Sequence, residues 1–323
     1  MTRGPLLLAH PGTHGVAVYA RELAAAIHTV RGSGAVVDQT QLAAHPEGAT
    51  VHVHFTDRLW GGSPAEAAQA FEALAAQRPV SVTLHDVPQG SDGEPSRTRR
   101  SAAYHRVATA ARGVVVNSEH ERLLLAEEGV WDGAVVSIPL PVAAGAAVRA
   151  VPDGSVGVLG YFYPGKGHDE AAQAAAAAGI ATLTVLGRAS DGHAADLDAF
   201  VRRADALGIT VEVTGWLSDD EIARRAREVA VPVIAHRHIS ASGSLASWVG
   251  WGRRPVAVRN RYIDEMAALR PGTLLPVAES DLAAGIRRAA AEPETTWHGL
   301  ESLPMSWHDA AAAYLRWFDE VPW

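Results

Sequence analysis

The chain has 323 residues, 48% apolar and 20% charged, which is enough to bury a core in each of two domains and too apolar for disorder. The absence of cysteine excludes disulfides, zinc–thiolate sites, iron–sulfur clusters and a cysteine nucleophile. A net charge of −8 argues against a broad nucleic-acid footprint, and the apolar run at Leu6–Ala9 is too short for a signal segment or a membrane span, so a soluble, cytoplasmic protein is predicted.

Short apolar runs alternate with helical patterns along the chain. The first predicted strand, Leu6–His10, leads into His10-Pro11-Gly12-Thr13-His14-Gly15. A helix follows, with Val16, Tyr19, Leu23, Ile27 and Val30 recurring at spacings of three and four. Glycines at that junction would let a ligand approach the backbone, and the helix start offers N–H groups to an anion. An ordinary tight turn fits the same residues. The pattern is not GxGxxG, so a dinucleotide fingerprint is not supported.

The next strand, Val51–Phe55, alternates Val51, Val53 and Phe55 with His52 and His54, then reaches Thr56 and Asp57. The strand Val80–His85 ends at His85-Asp86. Histidines at two strand ends suit hydrogen bonding to a sugar hydroxyl or proton transfer, or are simply satisfied polar groups. Strands Gly113–Asn117 and Ala134–Leu140 complete the first half. Residues 139–155, rich in Pro, Ala and Gly, mark a boundary, so domains are predicted over 1–145 and 146–300, with an amphipathic terminal helix in 301–323.

In the second half the predicted strands are Val156–Phe162, Thr182–Gly187, Val211–Leu217, Val231–Arg237, Pro255–Arg259 and Leu274–Val277. Helices fall between and after them, near 168–179, 193–206, 219–229, 243–252, 261–270 and 280–290. Ser218 with Glu221 forms a capping box. Such alternation predicts an α/β protein of two doubly wound parallel sheets with right-handed crossovers.

Such sheets bind ligands beyond the carboxyl ends of their strands. There the sequence places its only lysine, Lys166, between Gly165 and Gly167 at a helix start. An ammonium at a helix's positive end calls for an anionic partner, and a diphosphate fits. The Walker pattern is not met, which disfavours nucleoside triphosphate hydrolysis. The run HRHISASGSL at 236–245 supplies Ser242, Gly243 and Ser244 as a second anion cradle, or as a serine-capped helix. Asp196-Leu197-Asp198 matches DxD, but positions i and i+2 diverge on a helix, so no metal site is predicted. The nine tryptophans suit sugar rings or a core.

At these residues the chain resembles the retaining glycosyltransferases of family 4, which have the GT-B fold of two facing Rossmann-like domains. The resemblance covers nearly the whole chain. Its marks are the Gly12–Gly15 loop, Val51–His54, VTLHD ending at His85-Asp86, VVVNS at 114–118 and IPLPV at 138–142. They continue with GYFYPGKGHDEAAQA at 160–174, VLG at 185–187, VEVTGWLSDDEI at 211–222 and SASGSLASWVGWGRRPVAV at 240–258. The resemblance implies that Lys166 neutralises a donor diphosphate and that His85 touches the donor sugar. It implies donor contacts at Gly12, Tyr161, Gly187, Leu217, Ser240, Ser242, Gly243, Ser244, Leu245 and Ser247. His14, Gly15, His54, Asp57 and Asp86 fall on the acceptor side, and the terminal helix should return to the first domain.

The family's two glutamates, eight positions apart, are replaced: Ser247 takes the second position, and the first falls at Ile239 or Ser240. The basic residue expected just before Lys166 is also missing, with Tyr161–Tyr163 in its place. The expected activity is metal- and cofactor-independent transfer of a hexose from a nucleotide sugar to a soluble saccharide, with GDP-mannose ahead of UDP-glucose. Loosely, the chain resembles actinobacterial polysaccharide mannosyltransferases. A sugar-nucleotide epimerase or hydrolase, or a non-catalytic binding relative, is the alternative.

Overall fold

The computed structural model describes residues 4–32, 36–143, 145, 148–237, 239–299 and 301–323. His238 of the second cradle, and residues 144, 146 and 147 of the predicted boundary, lie outside them. The chain forms two units, Met1–Pro141 with Met305–Trp323, and Val142–Pro304.

The first unit holds β1 (Leu6–Leu8), β2 (Val36–Val37), β3 (Val51–Phe55), β4 (Val80–Leu84), β5 (Val114–Val116) and β6 (Val135–Ser137). They form one parallel sheet in the order β2-β1-β3-β4-β5-β6. β2 was not expected: two residues are too few to show a period. β3 is buried on both faces. Its Phe55 packs with Phe71 and Tyr104 on one side. On the other, His52 meets Tyr314, Trp317 and Phe318 of the terminal helix Trp307–Glu320. That helix also shares an apolar cluster with Tyr19, Leu23 and Ile27 of the helix Gly15–Arg31.

The second unit holds β7 (Val156–Leu159), β8 (Thr182–Leu186), β9 (Thr210–Val213), β10 (Val231–Ile234), β11 (Val256–Val258) and β12 (Leu275–Val277). This sheet is also parallel, in the order β12-β11-β10-β7-β8-β9. The expected capping box at Ser218 and Glu221 starts the helix Asp219–Glu228. Several strands end earlier than predicted. The chain leaves the sheet at Gly160 (φ 106°) and Gly215 (φ 71°), left-handed conformations that a glycine adopts without strain.

The strand orders position the site. Order reverses between β1 and β3 in the first sheet and between β7 and β10 in the second. A crevice outside the carboxyl ends opens at such a reversal. The Gly12–Gly15 loop follows β1 and Thr56-Asp57 follow β3, while the Lys166 loop follows β7 and the Ser242 segment follows β10.

Candidate functional site

In the second unit, Gly165 (φ 91°) and Gly167 (φ 92°) turn the loop after β7 back toward β10. A Cβ on Gly167 would lie 2.4 Å from the carbonyl of Ala235, so only glycine fits. The turn buries Lys166, whose Nζ donates to Ser244 Oγ at 3.2 Å. Ser244 Oγ lies 3.1 Å from Ser242 Oγ, which caps the helix Gly243–Gly250 by accepting from Leu245 N. The phenol of Tyr262 accepts from Ser242 N at 3.0 Å and fixes this helix start. Among the described residues no carboxylate pairs with Lys166. Burial pushes its ammonium down to about 8. Two like fields therefore meet, the lysine and the positive end of a helix, and an anion between them would relieve both.

Gly243 is exposed, and a Cβ there would touch nothing. Packing therefore does not require glycine there. Gly187 is the reverse case: its added Cβ would fall 2.3 Å from Gly160 O. Thr214 Oγ1 accepts from Gly187 N, and Gly215 N donates to Gly187 O, so Gly187 ties the ends of β7, β8 and β9 together. Leu217 is half-buried beyond that knot, and Ser247 is half-buried on the helix Gly243–Gly250. Ser240 and Ile239 are buried. Tyr161 is exposed, and the guanidinium of Arg188 lies over its ring at 5.0 Å. The sequence reading missed Arg188. Its only signal was its place directly after Gly187.

In the first unit, His14 Nδ1 accepts from Val16 N and caps the helix Gly15–Arg31. Arg21 of that helix donates to the carbonyls of His10 and Gly12, holding the loop over the helix start. Gly12 (φ 96°) needs its left-handed backbone, whereas Gly15 has an ordinary one and open space.

His52, His54 and His85 form a buried cluster. His54 Nδ1 and His85 Nε2 lie 3.0 Å apart, while the ring nitrogens of His52 reach Ser81 Oγ at 2.9 Å and Thr83 Oγ1 at 3.0 Å. Asp86 adopts a left-handed backbone (φ 50°), and its carboxylate accepts from Thr56 Oγ1. Asp57 is buried and paired with Arg100, which also holds Asp92 and the Asp86 carbonyl. This ion pair fastens the ends of β3 and β4 to the helix Ser96–Ala110, so Asp57 is committed to structure. Asp196 is exposed on a helix and pairs with His193.

Burial pushes His52 down to about 3 and His85 down to about 4, and holds His54 well below its ordinary value. The folded state then binds fewer protons than the unfolded state below the ordinary histidine value of 6.5. Stability therefore rises with pH through this window and falls as acid is added. Urea unfolding between pH 6.5 and 5 should lose stability on acidification, at up to about 1.4 kcal/mol per pH unit for each histidine. His52→Asn should flatten the slope. Equal slopes in the two proteins would show that His52 is not buried neutral.

No family model matches the chain, and no curated protein matches it. The fold is that of the GT-B glycosyltransferases: two Rossmann-like domains, each with a six-stranded parallel sheet. Similar solved structures include sucrose-phosphate synthase (tll1590) from Thermosynechococcus elongatus, with TM-score 0.71 and 15% identity over 98% of this chain and 95% of that one. Anabaena Alr3699/HepE in complex with UDP and glucose gives TM-score 0.68 and 13% identity over 98% of this chain and 100% of that one. An S. aureus TarM variant in complex with Fondaparinux, alpha-GlcNAc-glycerol and UDP gives TM-score 0.63 at 14% identity. There the match covers 92% of this chain but only 59% of TarM. At these identities the likeness is one of fold.

Among the described residues no helix is long and apolar enough to cross a membrane, and no group of three or more histidines and acids could hold a metal ion.

Proposed function

We propose that the protein is a retaining, metal-independent glycosyltransferase resembling family 4, which moves a hexose from a nucleotide sugar to a saccharide acceptor. The observation that carries this reading is the buried Lys166 ammonium against the capped start of the helix Gly243–Gly250, at the strand-order reversal of the second sheet. As the sugar leaves, negative charge gathers on the departing diphosphate. A fixed ammonium and helix N–H groups stabilise that charge without a metal. Ser242, Gly243, Ser244 and Leu245 are assigned to phosphate and sugar, Gly187 and Leu217 to the base, and Tyr161, Ser240 and Ser247 to other donor contacts. In the first unit, Gly12, His14, Gly15, His85 and Asp86 are assigned to the sugar and acceptor, with His54 behind His85.

GDP-mannose is the donor suggested by the loose resemblance to polysaccharide mannosyltransferases. UDP-glucose stands beside it, because HepE was solved with UDP and glucose. A thermal-shift panel of GDP-, UDP- and ADP-sugars tests binding, since a ligand of the folded state raises apparent stability. Transfer is then followed by NMR of the product's anomeric proton, with excess EDTA present. A retained anomer made in EDTA supports the proposal. An inverted anomer, or dependence on added Mg²⁺ or Mn²⁺, refutes it, and binding without product favours a non-catalytic relative.

Gly243→Val adds bulk only where the structure leaves open space. The variant should melt within a few degrees of wild type and bind the nucleotide at least about tenfold more weakly, because it blocks close backbone approach. Unchanged binding would remove this helix start from the donor site.

A further inference from the structure

We propose that His54 is a positioning residue for His85: it accepts a hydrogen bond from His85 Nε2–H, leaving His85 Nδ1 as a lone-pair acceptor for a ligand hydroxyl. The argument starts from the 3.0 Å contact between His54 Nδ1 and His85 Nε2. β3 and β4 run in parallel register, with His54 opposite Thr83, so the two rings emerge from neighbouring strands. Both rings are buried, and both are held neutral by that burial. Two neutral imidazoles sharing one contact hold one proton between them, so one ring must donate and the other accept.

Two polarities are possible. If His85 Nε2–H donates, His54 accepts at Nδ1 and keeps its own proton on Nε2. Both rings then occupy the Nε2–H tautomer, the more stable form of a neutral histidine side chain in water. The reverse polarity forces both rings into the less stable tautomer. Intrinsic tautomer preference therefore favours the first polarity.

The surroundings hold both rings in place. The Tyr19 ring meets His54 edge-on at 5.2 Å and His85 at 5.4 Å. His52 meets His54 edge-on at 5.1 Å, and the nitrogens of His52 engage Ser81 and Thr83. Trp60 Nε1 donates to His54 O and Tyr104 OH donates to His85 O, while His85 N donates to Phe55 O. These bonds fix the backbone at both residues, and the ring contacts pack the two imidazoles against Tyr19 and His52. His85 thus spends Nε2 inside the protein, and Nδ1 is the ring nitrogen left for a ligand. A group that accepts hydrogen bonds there selects a hydroxyl donor, as on a sugar, over a carbonyl.

The test reads the tautomer directly. Protein labelled with ¹⁵N-histidine is studied by long-range ¹H–¹⁵N correlation near pH 7, with His85 assigned by the signals lost in His85→Gln. Wild type should show a protonated Nε2 and a non-protonated Nδ1 at His85. His54→Asn, whose amide oxygen can take the place of Nδ1, should keep that pattern. His54→Leu removes the acceptor, and the two nitrogen shifts of His85 should move toward each other as the tautomers mix. A proton on Nδ1 in wild type overturns the proposal, as does a wild-type spectrum from His54→Leu. If His54→Leu does not fold, the spectra of wild type and His54→Asn still decide the polarity.

The consequence for turnover rests on the glycosyltransferase reading. His54→Leu should lower kcat on the order of 10–100-fold, with less change in donor KM, and His54→Asn should restore most of it. Unchanged kcat despite a shifted tautomer would end the positioning role. A wild-type protein that transfers no sugar would refute the functional proposal alone, because the spectra need no activity.

Discussion

Lys166→Ala is expected to bind nucleotide sugar on the order of 10–100-fold more weakly than wild type and to lose nearly all transfer. A hydrogen bond to a charged group contributes about 1.5–3 kcal/mol, and the contribution grows where charge develops in the transition state. The fold should survive, because the one hydrogen bond that Nζ makes among the described residues is to the Ser244 hydroxyl. Relief of the buried ammonium offsets part of the packing lost with the side chain. Its folded value near 8 lies below its ordinary 10.5, so the unfolded chain binds more protons between them and wild-type stability rises with pH across that interval.

Binding has the opposite dependence. An anion stabilises the protonated lysine, so affinity for UDP or GDP should fall as pH rises through about 8, and Lys166→Met should abolish this dependence. Calorimetric titration at pH 7 and pH 9 provides the check. A pH-independent affinity in wild type, or wild-type turnover in Lys166→Ala, would place the diphosphate elsewhere.

The largest loss of stability is expected at Arg253. Its side chain is almost fully buried, and among the described residues no carboxylate is a hydrogen-bond partner. It donates to the carbonyls of Ala226, Arg227 and Ala230 beyond and within the end of the helix Asp219–Glu228, and to Thr296. The ring of Trp297 lies 4.3 Å from the guanidinium. One planar fork thus satisfies the carbonyls that a helix leaves open and stitches residues 226–230 to 296–297. Burial pushes its pKa down to about 10, so the group stays charged at neutral pH.

Arg253→Met keeps much of the apolar bulk but leaves several buried carbonyls without donors, at about 1–3 kcal/mol each before water or relaxation compensates. A net loss on the order of 4 kcal/mol is expected, read as a lower urea midpoint. Arg253→Lys should recover little, because one ammonium cannot span the carbonyls that the fork reaches. A loss below about 1 kcal/mol for Arg253→Met would show that the carbonyls find other partners.

Local periodicity carried the two doubly wound sheets, because buried parallel strands and one-sided helices repeat over a few residues. Ser218 and Glu221 announced a helix start because the capping box spans four residues and needs no distant partner. Lys166 stood out as the single lysine, set between two glycines, and both glycines do adopt left-handed backbone. What surrounds these residues was not legible. Lys166 meets Ser244 across 78 positions only because β7 and β10 are neighbours, and strand order is not written in any local period. The same holds for Thr83 and Tyr314, 231 positions apart, which help to bury the histidine face of β3.

Asp57 reads as a free carboxylate until Arg100 is folded against it, and Arg188 reads as surface until its guanidinium lies over Tyr161. The sequence by itself determined all the strands but β2, the helices of the second half, the glycine turns and the residue types at the strand ends, since these depend on backbone preferences and nearby side chains. Only the tertiary structure decided which polar groups are spent on one another and which remain for a ligand. That division is set by burial and by hydrogen bonds between segments far apart in the chain, because a buried polar group must find its partner wherever packing brings one.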